Sequence, residues 1–128
     1  MDIAKDLALI EALCSRDFPA GHGGYHTAWL GPGDWPDASD CYAYEAAVVE
    51  RLTHRWGEPS RWGTVTLQER IARGELIPEP WAELAAQAVE LRTWDVPGGD
   101  RRVTLAVADR NGEDQPRLQV LVTDIDPP

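Results

Sequence analysis

The last third of the chain alternates between apolar and polar residues with a period of two. Three such segments, AVELRTWDV, RRVTLAVAD and RLQVLVTD, are separated by turn signals at Gly98-Gly99 and Asn111-Gly112. Alternation places successive side chains on opposite faces of a strand, and these dipeptides favour hairpin turns. The pattern predicts a three-stranded antiparallel meander. Its inward faces are predicted to carry Val103, Leu105 and Val107, then Leu118, Val120 and Val122.

Helical spacing of apolar residues appears instead in the first half of the chain. It runs over residues 2–16, and again from a cap at Ser39 or Asp40 to a stop at Gly57. The apolar stripe of the second helix consists of Tyr44, Val48, Leu52 and Trp56. Pro80 at a first-turn position predicts a further short helix, which continues through Trp81, Leu84 and Ala85.

Residues 61–71, RWGTVTLQERI, are compatible with a strand or a short helix, and the glycine-bounded GTVTL favours a strand at 64–68. The elements together predict one α+β domain over residues 1–128. Two main helices are expected to pack on one face of an antiparallel sheet of three to four strands, formed around the carboxyl-terminal meander.

Composition narrows the partners that such a domain would bind. The 128 residues carry a formal net charge of −10. Nucleic acids and anionic membranes attract clustered lysine and arginine, so neither is expected to be a partner. A basic protein would be steered toward this chain.

The amino-terminal segment MDIAKDLALIEALCSRDF lacks a basic start, and acidic residues interrupt its apolar positions. It therefore does not have the pattern of a signal peptide. No apolar run approaches the roughly 20 residues of a membrane helix. These features predict a cytoplasmic protein.

A charge segregation is the most informative feature for function. No lysine or arginine occurs between Asp17 and Glu50. The irregular part of this stretch, residues 18–40, is rich in glycine and proline, and within it YHTAWL is compatible with a short strand. Aromatic anchors inside an acidic rim suit a basic protein partner. The predicted partner-binding residues are Asp34, Asp37, Asp40 and Glu45 for steering, with Trp29, Trp35 and Tyr42 as anchors. The alternative is a loop whose aromatic residues close one end of the core.

Cys14, His22, His26 and Cys41 form a second group of interest. Zinc sites use four Cys or His ligands, but they usually occur as two close pairs, and here only His22 and His26 are close. Cys41 in the first turn of a helix, with His22 or His26 as base, would be an alternative thiol centre. Nearby Asp37, Asp40 and Glu45 oppose it, because negative charge raises a thiol pKa. The preferred interpretation is two structural cysteines with no metal and no cofactor.

Short turn-and-aromatic motifs carry a family resemblance. With WGEP at 56–59, IPEPW at 77–81, a strand ending in Trp94 and DPP at 126–128, the chain resembles small acidic actinobacterial proteins without an assigned activity. The likeness covers roughly residues 50–128 and brings no catalytic residues. Size and acidity are also similar to those of bacterial immunity proteins, which occlude a toxin.

The sequence thus predicts a non-enzymatic binding module of immunity or regulatory type. Two alternatives remain. The first is a thiol- or metal-dependent enzyme centred on Cys41 with His22 or His26. The second is a subunit that self-associates, for example as a homodimer, through the meander edge or a tryptophan patch.

Overall fold

A computed structural model describes residues 2–18, 24–110 and 116–128. Within them the chain forms four helices and five strands, and the α+β class is confirmed. The helices are α1 (Ile3–Ser15), α2 (Ala38–Trp56), α3 (Val65–Ala72) and α4 (Trp81–Gln87). The strands are β1 (Tyr25–Leu30), β2 (Ser60–Gly63), β3 (Glu90–Asp95), β4 (Arg102–Ala108) and β5 (Arg117–Thr123).

The strands form one antiparallel sheet in the order β1-β5-β4-β3-β2. The predicted meander is present as β3, β4 and β5. The predicted size of three to four strands was too small, because β1 adds to β5 at one edge and β2 adds to β3 at the other.

Residues 64–68 are not a strand. The strand ends at Gly63, and α3 follows from Val65. The change from strand to helix occurs at Thr64. Its amide donates to the carbonyl of Val89 at 3.0 Å, and its hydroxyl donates to the carbonyl of Ala88 at 2.6 Å. Its own carbonyl then accepts the amide of Gln68 at 3.0 Å and so starts the helical turn.

Helices cover both faces of the sheet. On one face, α1 and α2 bury Ile10, Tyr44, Val48 and Leu52 against alternate residues of the strands; we call this the α1/α2 core. All six inward-facing residues predicted for the meander lie in it. The intervening strand residues Leu91, Ala106 and Leu121 face α3 and α4 and form the α3/α4 core. Because the strands alternate, each helical pair receives its own set of side chains.

Arg110, which lies just after β4, connects this strand to the α3/α4 layer through hydrogen bonds. Its guanidinium donates from Nε to the carbonyl of Ala85 at 2.9 Å, from Nη2 to the carbonyl of Ala88 at 3.1 Å, and to the Thr64 hydroxyl. A cation at the end of α4 satisfies carbonyls that the helix leaves unpaired. The start of β3, which borders the site described next, is thereby held in place.

Candidate functional site

The charge segregation seen along the sequence does not persist in space. Three arginines from the carboxyl-terminal half contact the cation-free stretch. Arg92 pairs with Glu45 at 3.0 Å, while Arg101 lies 4.0 Å above the ring of Phe18 and Arg117 lies 4.0 Å above that of Trp29. The predicted acidic-aromatic surface is therefore divided by positive charge.

Trp35 is not an exposed anchor. Its side chain is 2% exposed and lies in the α1/α2 core, where its ring centroid is 5.5 Å from that of Tyr44. The glycines and prolines around it allow the loop between β1 and α2 to fold back over the core. For this residue the prediction of a partner contact was wrong, and the alternative of an aromatic plug was right.

Trp29 is 41% exposed but belongs to a different surface. Its neighbours Ala28 and Leu30 face the α1/α2 core, so the alternation of β1 directs Trp29 to the opposite side of the sheet. There it lies opposite Gln119 in the strand register and beneath Arg117. Trp29 and Tyr42 consequently do not form one binding face.

The three aspartates lie at the amino-terminal end of α2. Asp34 and Asp37 are exposed and Asp40 is half-buried. Asp37 also caps the helix, because its Oδ1 accepts from the amide of Ser39 at 3.1 Å. All three contribute negative charge where α2 begins.

Tyr42 and Glu45 are brought together, with residues that sequence reasoning missed, in a cleft of about 270 Å³. The cleft lies between α2 and the adjoining ends of β3 and β4, and we call it the Tyr42 cleft. Its lining is Tyr42, Glu45, Val89, Glu90, Arg92, Val107 and Asp109. The Tyr42 hydroxyl donates to Oδ2 of Asp109 at 2.7 Å, which joins the helix to the end of β4.

The cleft is negatively charged in spite of Arg92. Three carboxylates and one guanidinium line it, a formal charge of −2. Oδ1 of Asp109 is buried and accepts no hydrogen bond from any residue that the structure describes.

Burial and like charge shape the protonation of these groups. Desolvation raises the pKa of Glu45, with Glu90 and Asp109 adding to the rise while Arg92 opposes it. Desolvation and the hydrogen bond to Asp109 raise the pKa of Tyr42 to about 12. The cleft thus holds a half-buried carboxylate that is stabilised by one arginine.

Cys41 lies next to this cleft, and its surroundings disfavour the thiolate. It is fully buried, and desolvation, followed by the charges of Glu45 and Asp109, raises its pKa to about 11. His26 lies on β1, where its Nε2 is 3.3 Å from the carbonyl oxygen of Arg16 and its ring contacts Phe18. His22 lies outside the described residues.

Neither cysteine is in a disulfide, and Cys14 is half-buried. Within residues 2–18, 24–110 and 116–128, no three His, Cys, Asp or Glu side chains are arranged to hold a metal ion. The same residues include no helix that is both long and apolar enough to cross a membrane.

The sequence contained a signal for one of the missed residues. Asp109 continues the alternation of Val103, Leu105 and Val107, so it belongs on the face that α2 covers. Glu90 and Val89 had no such signal, because their position depends on how α2 crosses the sheet.

Comparisons with protein-family models, with curated proteins and with solved structures find no match to this chain. The resemblance to small acidic actinobacterial proteins and to immunity proteins therefore stays a prediction.

Proposed function

We propose that this protein binds a basic protein partner, and that the Tyr42 cleft receives a lysine or arginine side chain of that partner. The observation that carries the proposal is the joint presence of Tyr42, Glu45 and Asp109 in one open, negatively charged cleft. The function is that of a binding module of immunity or regulatory type rather than of an enzyme.

The composition of the lining favours a cationic side chain as occupant. Sites for small molecules and cofactors usually measure about 300–1,000 Å³ and are mainly apolar. The Tyr42 cleft, at about 270 Å³, lies near the lower end of this range, and four of its seven lining residues are charged. A single guanidinium or ammonium group, with its aliphatic stem against Tyr42 and Val107, suits these dimensions.

The electrostatics of the cleft support a cationic occupant. The carboxylates of Glu45, Glu90 and Asp109 accept hydrogen bonds, and guanidinium and ammonium groups only donate them. The half-buried Glu45 is costly to keep ionised, and a second cation would lower that cost. Asp34 and Asp40, nearby in the chain, would accelerate the encounter with a basic surface.

The exposed ring of Tyr42 supports an interface role as well. It is 41% exposed although its hydroxyl is fixed by Asp109, so the ring is presented in one orientation. Rigid aromatic side chains lose little entropy on binding and are enriched at the centres of interfaces.

The test uses a defined probe, acetyl-Gly-Arg-Gly-amide, with acetyl-Gly-Gln-Gly-amide as its uncharged match. In ¹⁵N–¹H spectra the arginine peptide should shift amides of residues 42–45, 89–92 and 107–110, and the glutamine peptide should not. Asp109→Asn should weaken this binding, whereas Asp100→Asn, at an exposed position elsewhere on the chain, should leave it unchanged. Shifts spread evenly over all acidic residues, or absent from the cleft, would overturn the proposal.

A photo-crosslinking side chain at position 42 then identifies the partner in native lysate. The same group at Leu76, which is 95% exposed and outside the cleft lining, is the control. A basic protein captured at 42 and not at 76 is the expected result. Capture of acidic proteins alone would contradict the proposal.

A further inference from the structure

A second cleft adjoins the Tyr42 cleft and has a different chemistry. It measures about 310 Å³ and is lined by Arg61, Trp62, Gly63, Val65, Val89 and Glu90. We call it the Trp62 cleft. Val89 and Glu90 belong to both linings, so the two clefts meet along the start of β3.

The Trp62 cleft offers apolar surface without net charge. Val65 is 57% exposed and Val89 is 47% exposed. The indole N–H of Trp62 is already used by Oγ1 of Thr93 at 3.3 Å, so this ring presents only carbon surface. Glu90 pairs with Arg61 at 2.6 Å, which leaves the charges of this lining balanced.

Val89 forms a fixed ridge between the two clefts. Its carbonyl accepts the amide of Thr64 at 3.0 Å and lies 3.2 Å from the Thr64 hydroxyl, which donates its proton at shorter range to Ala88. Its backbone is therefore held while its side chain stays exposed. A segment that crosses this ridge contacts a cation-accepting cleft on one side and an apolar cleft on the other.

We infer that the partner segment carries an apolar residue within a few positions of the basic one. The basic side chain enters the Tyr42 cleft, and the apolar side chain covers Val65, Val89 and Trp62. This inference rests on the proposed function and adds the recognition of a second residue. Charge complementarity selects the occupant. Even when Glu90 is assigned to its ion pair with Arg61, Glu45 and Asp109 outweigh Arg92 and leave the Tyr42 cleft negative, whereas the Trp62 cleft is then neutral and mainly apolar.

Two matched peptide sets test the inference. In the first, arginine and leucine are separated by one, two or three glycines; in the second, serine replaces leucine. At one or more of the three spacings, the leucine peptide should bind about fivefold more tightly than the matching serine peptide. This ratio corresponds to partial burial of a leucine side chain. Only the leucine peptide should shift the amides of Gly63 and Val65.

Two exposed apolar residues supply the matched variants. Val65→Ser should abolish the advantage of leucine and leave the serine peptides bound as before. Leu76→Ser, at a position that is 95% exposed and absent from both linings, should preserve the advantage.

The outcomes separate the two proposals. If both peptide sets bind the Tyr42 cleft equally, or if the advantage survives Val65→Ser, the second-residue inference is wrong and the proposed function stands. If neither set binds the Tyr42 cleft, the proposed function fails, and this inference fails with it.

Discussion

The hydroxyl of Tyr44 on α2 donates a hydrogen bond to the carboxylate of Asp6 on α1. The same oxygen, Oδ2, accepts the amide of Gly31 at 2.9 Å. One carboxylate thus joins both helices of this layer and the loop between β1 and α2. Tyr44 is 7% exposed, so its hydroxyl has no ready alternative in water.

Tyr44→Phe should lower the free energy of unfolding by about 1.5–3 kcal/mol, because a hydrogen bond to a charged group is lost while the ring is kept. Tyr42→Phe is the matched control. It also loses a hydrogen bond to an aspartate, but at a position that is 41% exposed, so water replaces the partner and the loss should be smaller. Urea unfolding measures both. Equal losses would show that the buried hydrogen bond from Tyr44 to Asp6 contributes no more to stability than the exposed one from Tyr42 to Asp109.

Gly31→Ala should be more destabilising than Gly33→Ala, although both glycines have positive φ, at +76° and +83°. At Gly33 the new methyl group meets nothing within 4 Å, so only the backbone cost of about 1 kcal/mol applies. At Gly31 it would lie 2.5 Å from Cζ2 of Trp35, which adds about 1–3 kcal/mol of overpacking. Thermal and urea unfolding of the pair measure the difference. A zero difference would mean that Trp35 is not tightly packed.

Most of the fold was predictable from the sequence because the burial of one face of a helix or strand leaves a local pattern of apolar residues. The alternation around Leu105 and Val120 and the helical stripe of Val48 and Leu52 were both correct, since each reflects burial on one face of one element. At Thr64 the same reasoning failed. The glycine-bounded GTVTL favoured a strand, but contacts with Ala88 and Val89, more than twenty residues away, ended the strand and began α3.

The candidate site was less predictable because it depends on contacts between distant segments. Tyr42 and Glu45, both chosen from the sequence, line one cleft, whereas Trp35 lies in the core. That the cleft binds a partner stays a prediction. The absence of cations between Asp17 and Glu50 is a property of the sequence alone. In the fold, the pairing of β5 with β1 brings Arg117 to that stretch, and the packing of α2 on the sheet brings Arg92 to Glu45.

Cys41 should react slowly with iodoacetamide in the native protein. A pKa of about 11 in place of 9.0 leaves about a hundredfold fewer thiolates at neutral pH than an unfolded chain has. Labelling of the Cys14→Ser variant, followed by mass spectrometry, measures this rate with and without urea. Rapid labelling of the folded protein at pH 7 would instead favour the thiol-enzyme alternative.

The free energy of unfolding should fall at alkaline pH, because the pKa of Cys41 and that of Tyr42 are raised in the folded state. The folded state holds the protons of Cys41 and Tyr42 more firmly than the unfolded state, with pKa values raised from 9.0 to about 11 and from 10.0 to about 12. Their contribution is complete below pH 9 and is lost as the pH rises through 11 and 12. Urea midpoints from pH 7 to 11 measure the decline, and Cys41→Ala should reduce its slope. An unchanged slope in that variant would contradict the assignment to Cys41.

Arg92→Gln should lower the stability of the fold and strengthen the binding of a cation in the Tyr42 cleft. It leaves Glu45, with a side chain that is 14% exposed, without its ion-pair partner at 3.0 Å, and should cost about 1–3 kcal/mol at pH 7. Since burial raises the pKa of Glu45, the loss should shrink as the pH falls and the carboxyl group takes up a proton. Arg61→Gln breaks an exposed pair with Glu90 and should not measurably change the urea midpoint.

The same substitution should strengthen the binding of a cation. Removing Arg92 changes the formal charge of the cleft from −2 to −3, so acetyl-Gly-Arg-Gly-amide should bind several-fold more tightly at low ionic strength. The advantage should decline in about 1 M salt, where the screening length falls to about 3 Å. Titration of wild type and variant at both salt concentrations measures this. If the peptide instead binds the variant more weakly at low salt, Arg92 itself contacts the ligand, and the cleft recognises a group other than a cation.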